Sequence, residues 1–319
     1  MVKYNFCGNS GLQLPQLSLG LWHNFGDVDD FSTAKAMVCK AFELGISHFD
    51  LANNYGPSPG SAEINFGKIL NSELKNHRDQ MIISSKAGHL MWSGPYGDGG
   101  SRKYMMASLN QSLKRTGLDY FDIFYSHRHD SQTPIEETVQ ALIDMVKQGK
   151  ALYIGLSKYP AAEANFACQM MREQHVPCLI YQDKYNLLHR NIEENHTAFI
   201  EEQKVGFIAF SPLAQGLLTA KYLHGIPPNS RAAKAHGFLK SEEITPELLQ
   251  GIAKLNEMAI QRGQSLSQMA LAWVLKNPLV SSVIVGTSSV EQLIDNIDAL
   301  KVPDFSDEEL QKIDLITNF

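Results

Sequence analysis

The 319-residue sequence predicts an α/β fold: a closed (β/α)8 TIM barrel with an N-terminal β-hairpin cap and extra C-terminal helices. Three observations predict it. Short apolar runs alternate with amphipathic helical stretches roughly eight times, which implies right-handed βαβ units and a parallel sheet. No linker-like stretch interrupts the alternation, so residues 1–319 read as one domain. A doubly wound open sheet, the competing arrangement, wants a GxGxxG turn after its first strand, where this chain has LGLWHNFG.

In chain order, residues 4–15 alternate around an Asn-Ser-Gly turn and read as a hairpin, placed across the bottom of the barrel. LSLG (17–20) is the first barrel strand, and a helical pattern from Ser32 closes at Gly45. HFDLA is the second strand and SAEINFGKILNSEL its helix. MIISSKAG (81–88) is a strand ending in Lys86, Ala87 and Gly88, and a glycine-rich loop leads to the helix MMASLNQSLKRTG. FDIFYSH (121–127) ends at His127 and precedes PIEETVQALIDMVKQG, which has proline at an early helical position. ALYIGLS (151–157) and LIYQDKYN (179–186) are strands, each followed by a helix, the second running over 191–206. FIAFSPLAQG (207–216) is a strand entering a turn. The polar segment 222–244 is long for a connection and reads as a functional loop or lid. Two helices, the strand SSVIVGTS (281–288) and two further helices complete the chain.

Composition narrows the function. Hydrophobic content of 44% and charged content of 19% fit a globular protein. A net charge of −6 gives no reason to expect nucleic acid or an anionic membrane as partner. The four cysteines show neither CxxC nor metal-ligand spacing, and no apolar signal core or membrane span is present. A cytoplasmic protein without a bound metal is expected.

Barrel chemistry sits at the carboxyl ends of the strands. The second strand and its loop bring Asp50 and Tyr55 there, the third Lys86 and the fourth His127. Taken singly, each has an ordinary structural explanation, such as an aspartate satisfied by backbone or a histidine satisfied in the core. Together on adjacent strand ends they suit protonation of a carbonyl oxygen. A phenol is too weak an acid at neutral pH, and a neighbouring ammonium lowers its pKa. Asp50 can hold Lys86, and His127 can orient the oxygen.

The stretches FDLANNYG, SSKAG and FYSHR resemble the aldo-keto reductases over nearly the whole chain. Within that superfamily, SLGLWHNFG, FDLANNYGPSPGSAEINFG, SPLAQGLLTAKYL and GQSLSQMALAWVL resemble the branch holding bacterial L-glyceraldehyde 3-phosphate reductases and potassium-channel β subunits. The resemblance implies Tyr55 as general acid, with Asp50, Lys86 and His127 tuning and orienting it. It implies NADPH as hydride donor, and the chain has no metal or flavin motif that would supply another. Phe210 would stack on the nicotinamide, and Ser157 and Gln182 would hold its carboxamide. Ser211, Leu213, Gln215 and Gly216 would hold the pyrophosphate, and Lys221 and Arg231 would meet acidic phosphate. Gly286, Ser288, Gln292 and Asn296 would surround the adenosine end, and Trp22 would line the pocket. Two departures stand out: Lys158 follows Ser157 where many relatives have asparagine, and Ser289 replaces a basic residue near the 2′-phosphate.

Trp22, Tyr55, Trp92 and His127 suggest a small carbonyl substrate. Arg102 and Lys103 can attract a phosphorylated aldehyde or can be helix-start surface residues. The resemblance suggests L-glyceraldehyde 3-phosphate and methylglyoxal, and a homo-oligomer. Two other readings compete: a redox-sensing nicotinamide-binding subunit with little turnover, and a Schiff-base aldolase using Lys86.

Overall fold

The computed structural model describes residues 2–223, 225–227, 239 and 241–317. The segment read as a lid falls mostly outside the described residues, and Arg231 lies outside them altogether.

Two short strands open the chain, β1 (Tyr4–Phe6) and β2 (Gln13–Pro15), paired antiparallel with Tyr4 opposite Pro15. The barrel strands are β3 (Leu17–Gly20), β4 (His48–Asp50), β5 (Ile82–Ala87), β6 (Phe121–Ser126), β7 (Ala151–Ser157), β8 (Ile180–Lys184), β9 (Gly206–Phe210) and β10 (Val280–Val285). All pair parallel in sequence order, and β10 closes on β3. The hairpin covers the amino end, as expected. Asn5 donates from Nδ2 to the Ser281 carbonyl at 3.1 Å and the Asn9 amide to the Lys204 carbonyl at 2.9 Å, both next to strand starts.

The helices wrap this sheet. They are α1 (Phe31–Glu43), α2 (Ser61–Glu73), α3 (Arg102–Thr116), α4 (Ile135–Lys147), α5 (Ala161–Glu173), α6 (Asn191–Asn195), α7 (Thr197–Gln203), α8 (Pro246–Gln261), α9 (Leu266–Lys276), α10 (Val290–Asp298) and α11 (Asp307–Thr317). Their starts follow the sequence chemistry: Asp30 and Ser101 accept from backbone N–H groups, and Ser265 with Gln268 forms a capping box. The helix expected over 191–206 is instead two pieces separated at His196. That imidazole turns inward, stacking on Tyr181 at 5.3 Å with Nε2 3.0 Å from the Tyr159 carbonyl, and this contact replaces helical continuity.

Side chains alternate across each strand, and the two faces form two cores. Outward residues such as Phe49, Phe124 and Phe207 join the layer under the helices. Inward residues Ile123, Tyr125, Ile180, Ile208 and Ile284 fill the barrel. The same inward face carries polar groups: Ser18, His48, Asp50, Ser84, Lys86 and Ser282 are all buried. Register sets them in layers, with Asp50 opposite Ser84 and Ser157 opposite Gln182.

Candidate active site

Lys86 is completely buried, and Asp50 is 2% exposed. An isolated ammonium is not stable there, so its neighbours define it. Its Nζ lies 2.6 Å from Asp50 Oδ2, 2.7 Å from the Leu51 carbonyl and 3.3 Å from the Tyr55 hydroxyl. Burial lowers the Lys86 pKa, while the ion pair with Asp50 opposes the fall. The other Asp50 oxygen accepts from Ser84 Oγ at 2.7 Å and from Gln182 Nε2 at 3.3 Å.

The phenol departs from the sequence expectation. Burial first, and the Asp50 carboxylate second, raise the Tyr55 pKa well above its usual value. The physical reason is burial, which disfavours the charged phenolate, and the Asp50 carboxylate opposes a second negative charge beside it. Tyr55 therefore keeps its proton at neutral pH, the state a proton donor requires. Trp22, just past β3, stacks on its ring with centroids 6.1 Å apart.

His127 directly follows β6, its amide bonded to the Ala87 carbonyl at 2.8 Å, and its ring meets Tyr55 edge-on at 5.9 Å. Burial, then the charges of Lys86 and Lys158, push it well below the usual histidine value. It is a neutral imidazole with one N–H to donate. Asp50, Tyr55, Lys86 and His127 thus share one rim.

Below them a hydrogen-bonded chain runs down the barrel. Ser84 Oγ meets His48 Nε2 at 3.0 Å, His48 Nδ1 meets Ser18 Oγ at 2.8 Å, Ser18 meets Ser282 at 2.6 Å, and Ser282 donates to the Pro15 carbonyl at 2.6 Å. Sequence reasoning missed His48. The available signal was its spacing two residues before Asp50, which puts both on one face of β4.

The remaining candidates fall around the rim. Ser157 ends β7 with its buried hydroxyl unpartnered among the described residues, and Gln182 sits beside it on β8. Phe210 ends β9. The turn after it has left-handed backbone at Ser211, Ala214 and Gln215, a conformation that non-glycine residues adopt uncommonly and that the surrounding structure must hold. Gly216 follows at φ +99°, and the Gln215 side-chain oxygen is buried without a partner among the described residues. Leu213 is half-buried in the same turn, and Lys221 is exposed beyond it with no ion pair among the described residues. Gly286 and Ser288 follow β10, and Ser288 is bonded to Gln292 Oε1 at 2.9 Å. Asn296 is buried on the inner side of α10, so it is not part of a solvated helix face.

Arg102 does not enter this cleft: it pairs with Asp144 on α4 at 2.5 Å. Lys103 lies over the Tyr96 ring at 5.1 Å, and Trp92 packs 5.5 Å from Tyr104. The rim cation that faces the site is Lys158, next to His89 and missed in that role by the sequence reading. Among the described residues no cluster of His, Cys, Asp or Glu is gathered to hold a metal ion.

A parallel barrel with a buried Lys–Asp pair, a protonated phenol and a neutral imidazole at its carboxyl-end rim belongs to a class of barrels whose chemistry suits proton transfer. Comparison with known proteins identifies that class. The aldo/keto reductase family profile matches residues 16–318, and the chain belongs to this family of oxidoreductases. L-glyceraldehyde 3-phosphate reductase of Escherichia coli (strain K12) is 53% identical over 319 residues, covering 98% of this chain and 92% of that protein. A putative voltage-gated potassium channel subunit beta of Schizosaccharomyces pombe is 37% identical, covering 100% and 94%. A probable subunit of that kind from Oryza sativa subsp. japonica is 36% identical, covering 99% and 96%.

Proposed function

We propose that this chain reduces small aldehydes to alcohols with NADPH, using Tyr55 as the proton donor. The observation that carries the reading is the Tyr55 hydroxyl held 3.3 Å from a Lys86 ammonium that is itself anchored to Asp50. Tyr55 gives its proton to the carbonyl oxygen, and the ammonium stabilises the phenolate left behind. His127 donates its single N–H to the same oxygen and sets its direction. Trp22 and His127 wall the cleft. Solvent returns the proton to Tyr55.

The residues fit a nicotinamide cofactor, which when bound supplies hydride to the carbonyl carbon. The unpartnered Ser157 hydroxyl beside Gln182 suits a carboxamide, and the Phe210 ring suits the nicotinamide face. The turn Ser211, Leu213, Gln215 and Gly216 would hold the pyrophosphate, and Gly286, Ser288, Gln292 and Asn296 the adenosine end. Lys221, exposed and without an ion pair among the described residues, favours the 2′-phosphate of NADPH. Arg231 keeps the same assignment from sequence alone.

L-glyceraldehyde 3-phosphate and methylglyoxal are the candidate substrates, the first supported by the 53% identical relative of that name. The Schiff-base alternative is disfavoured because the Lys86 ammonium is fully buried and ion-paired. The low-turnover redox-sensing alternative is supported only by the relatives at 36–37% identity. We further place the chain in the cytoplasm as a homo-oligomer, without nucleic acid or membrane partners. Four free cysteines support a reducing compartment, and no helix among the described residues is long and apolar enough to cross a membrane.

Steady-state NADPH oxidation with methylglyoxal and glyceraldehyde 3-phosphate tests the proposal. Multiple turnovers per chain are expected. Tight NADPH binding with no turnover on any aldehyde would instead establish the sensing subunit.

A further inference from the structure

We propose that Lys158, with the His89 imidazole beside it, forms a receptor for an anionic group of the substrate, so that aldehydes bearing a carboxylate or phosphate are preferred over neutral ones. The inference rests on the aldehyde-reduction reading above.

Lys158 follows the last residue of β7 with left-handed backbone, φ +53°, an uncommon conformation for a residue with a side chain. Its Nζ donates to His89 Nε2 at 3.2 Å and lies 5.9 Å from the Phe210 ring centre. His89 in turn meets the His127 ring edge-on at 4.5 Å. The ammonium is therefore one imidazole away from the residue that orients the carbonyl, on the side where Phe210 faces the cleft.

Three cations gather on this part of the rim, and two are already committed. Lys86 is paired with Asp50 at 2.6 Å, and Arg128 with Asp98 at 3.0 Å and the Gly88 carbonyl at 2.7 Å. Lys158 has only the neutral His89 nitrogen and no carboxylate within ion-pair distance among the described residues. Asp183 is the anion that influences it from β8, and Lys86 and Arg128 are the opposing cations. Burial and those cations lower its pKa to about 8, which leaves it charged at neutral pH. His89 is itself fixed, because the Tyr104 hydroxyl donates to its carbonyl and Asn53 donates to that hydroxyl at 3.0 Å. An ammonium held in place on the exposed rim, with no carboxylate paired to it among the described residues, is a ready partner for an oxyanion.

The test compares kcat/KM for propanal, succinic semialdehyde and glyceraldehyde 3-phosphate in the wild type, Lys158→Met and Lys158→Arg. In Lys158→Met the ratio of anionic to neutral aldehyde falls about ten- to a hundredfold, mostly through KM, as loss of one charge-assisted hydrogen bond predicts. Lys158→Arg restores most of it. A fall for both anions assigns a general oxyanion receptor; a fall for only one assigns a receptor for that group. An unchanged ratio overturns the proposal, and so does an equal loss on all three aldehydes. If the wild type reduces no aldehyde, the reduction reading fails instead. Calorimetry with succinate and inorganic phosphate then decides the receptor: binding weakened in Lys158→Met sustains it, and binding that is absent or unchanged in the variant removes it.

Discussion

At the scale of single residues, Tyr55 and Lys86 divide the work. In the proposed reduction Tyr55 must stay protonated until the carbonyl oxygen needs its proton, and burial together with Asp50 keeps it so. Tyr55→Phe removes only that proton and hydroxyl. Its carbonyl reduction falls by about a hundred- to ten-thousandfold, while NADPH affinity, read by fluorescence quenching, stays within about twofold because no cofactor contact is assigned to the hydroxyl. Normal turnover in that variant would remove Tyr55 from the role. Lys86→Met is different in kind. It deletes the ammonium and also strands a buried carboxylate, which costs about 3–5 kcal/mol of stability. Lys86→Met with Asp50→Asn is therefore more stable in urea than Lys86→Met alone, although both are inactive. The four rim residues were legible because strand ends in a repeated βα pattern fall on one rim. The Tyr55 pKa direction was not, because it depends on how completely the ring is buried and how near Asp50 lies, which no spacing encodes. Lys158 shows a similar limit. The sequence marks it as a departure from relatives, but only its left-handed backbone aims it at His89.

At the scale of elements, α2, α3 and β5 are tied by a second buried charge cluster outside the barrel. Glu63 is fully buried on α2, pairs with Arg115 of α3 at 2.6 Å and accepts from Ser85 of β5 at 2.6 Å. Ser85 points outward and Lys86 inward, so the cluster sits directly behind the catalytic strand. Arg115→Met leaves Glu63 buried without its cation and lowers unfolding free energy by about 3–5 kcal/mol, whereas the double variant Arg115→Met with Glu63→Met recovers much of that loss. Denaturant unfolding of the set checks this; equal stability of the single and double variants would show that the pair is not buried as described. Helix and strand order was legible from periodicity and turn residues, since the barrel strands and the helices between them follow their local patterns except at one point. The break at His196 was not, because a tertiary contact with Tyr181 and the Tyr159 carbonyl overrides a locally helical stretch.

At the scale of the whole molecule, the barrel interior links the rim to the amino-end hairpin through His48. Burial lowers the His48 pKa to about 4, against a smaller upward pull from Asp50. A histidine whose folded pKa lies below its unfolded value of about 6.5 binds fewer protons when folded. Its stabilising contribution is thus complete above pH 6.5 and is lost as pH falls towards 4. The expected loss from His48 alone is about 2 kcal/mol between pH 7 and pH 5. His89, also lowered to about 4 but partly exposed, adds less. The loss comes from burying charge and not from breaking hydrogen bonds. Neutral His48 contributes one proton and Ser84, Ser18 and Ser282 one each, against five contacts from Asp50 to Pro15, so a protonated His48 supplies the fifth. Urea unfolding at pH 7 and pH 5 reads the slope in the wild type and in His48→Gln, which cannot titrate there. The variant starts less stable at pH 7 but declines more shallowly. An identical slope in both would assign the acid sensitivity to other groups and leave His48 as a packing residue of the barrel floor.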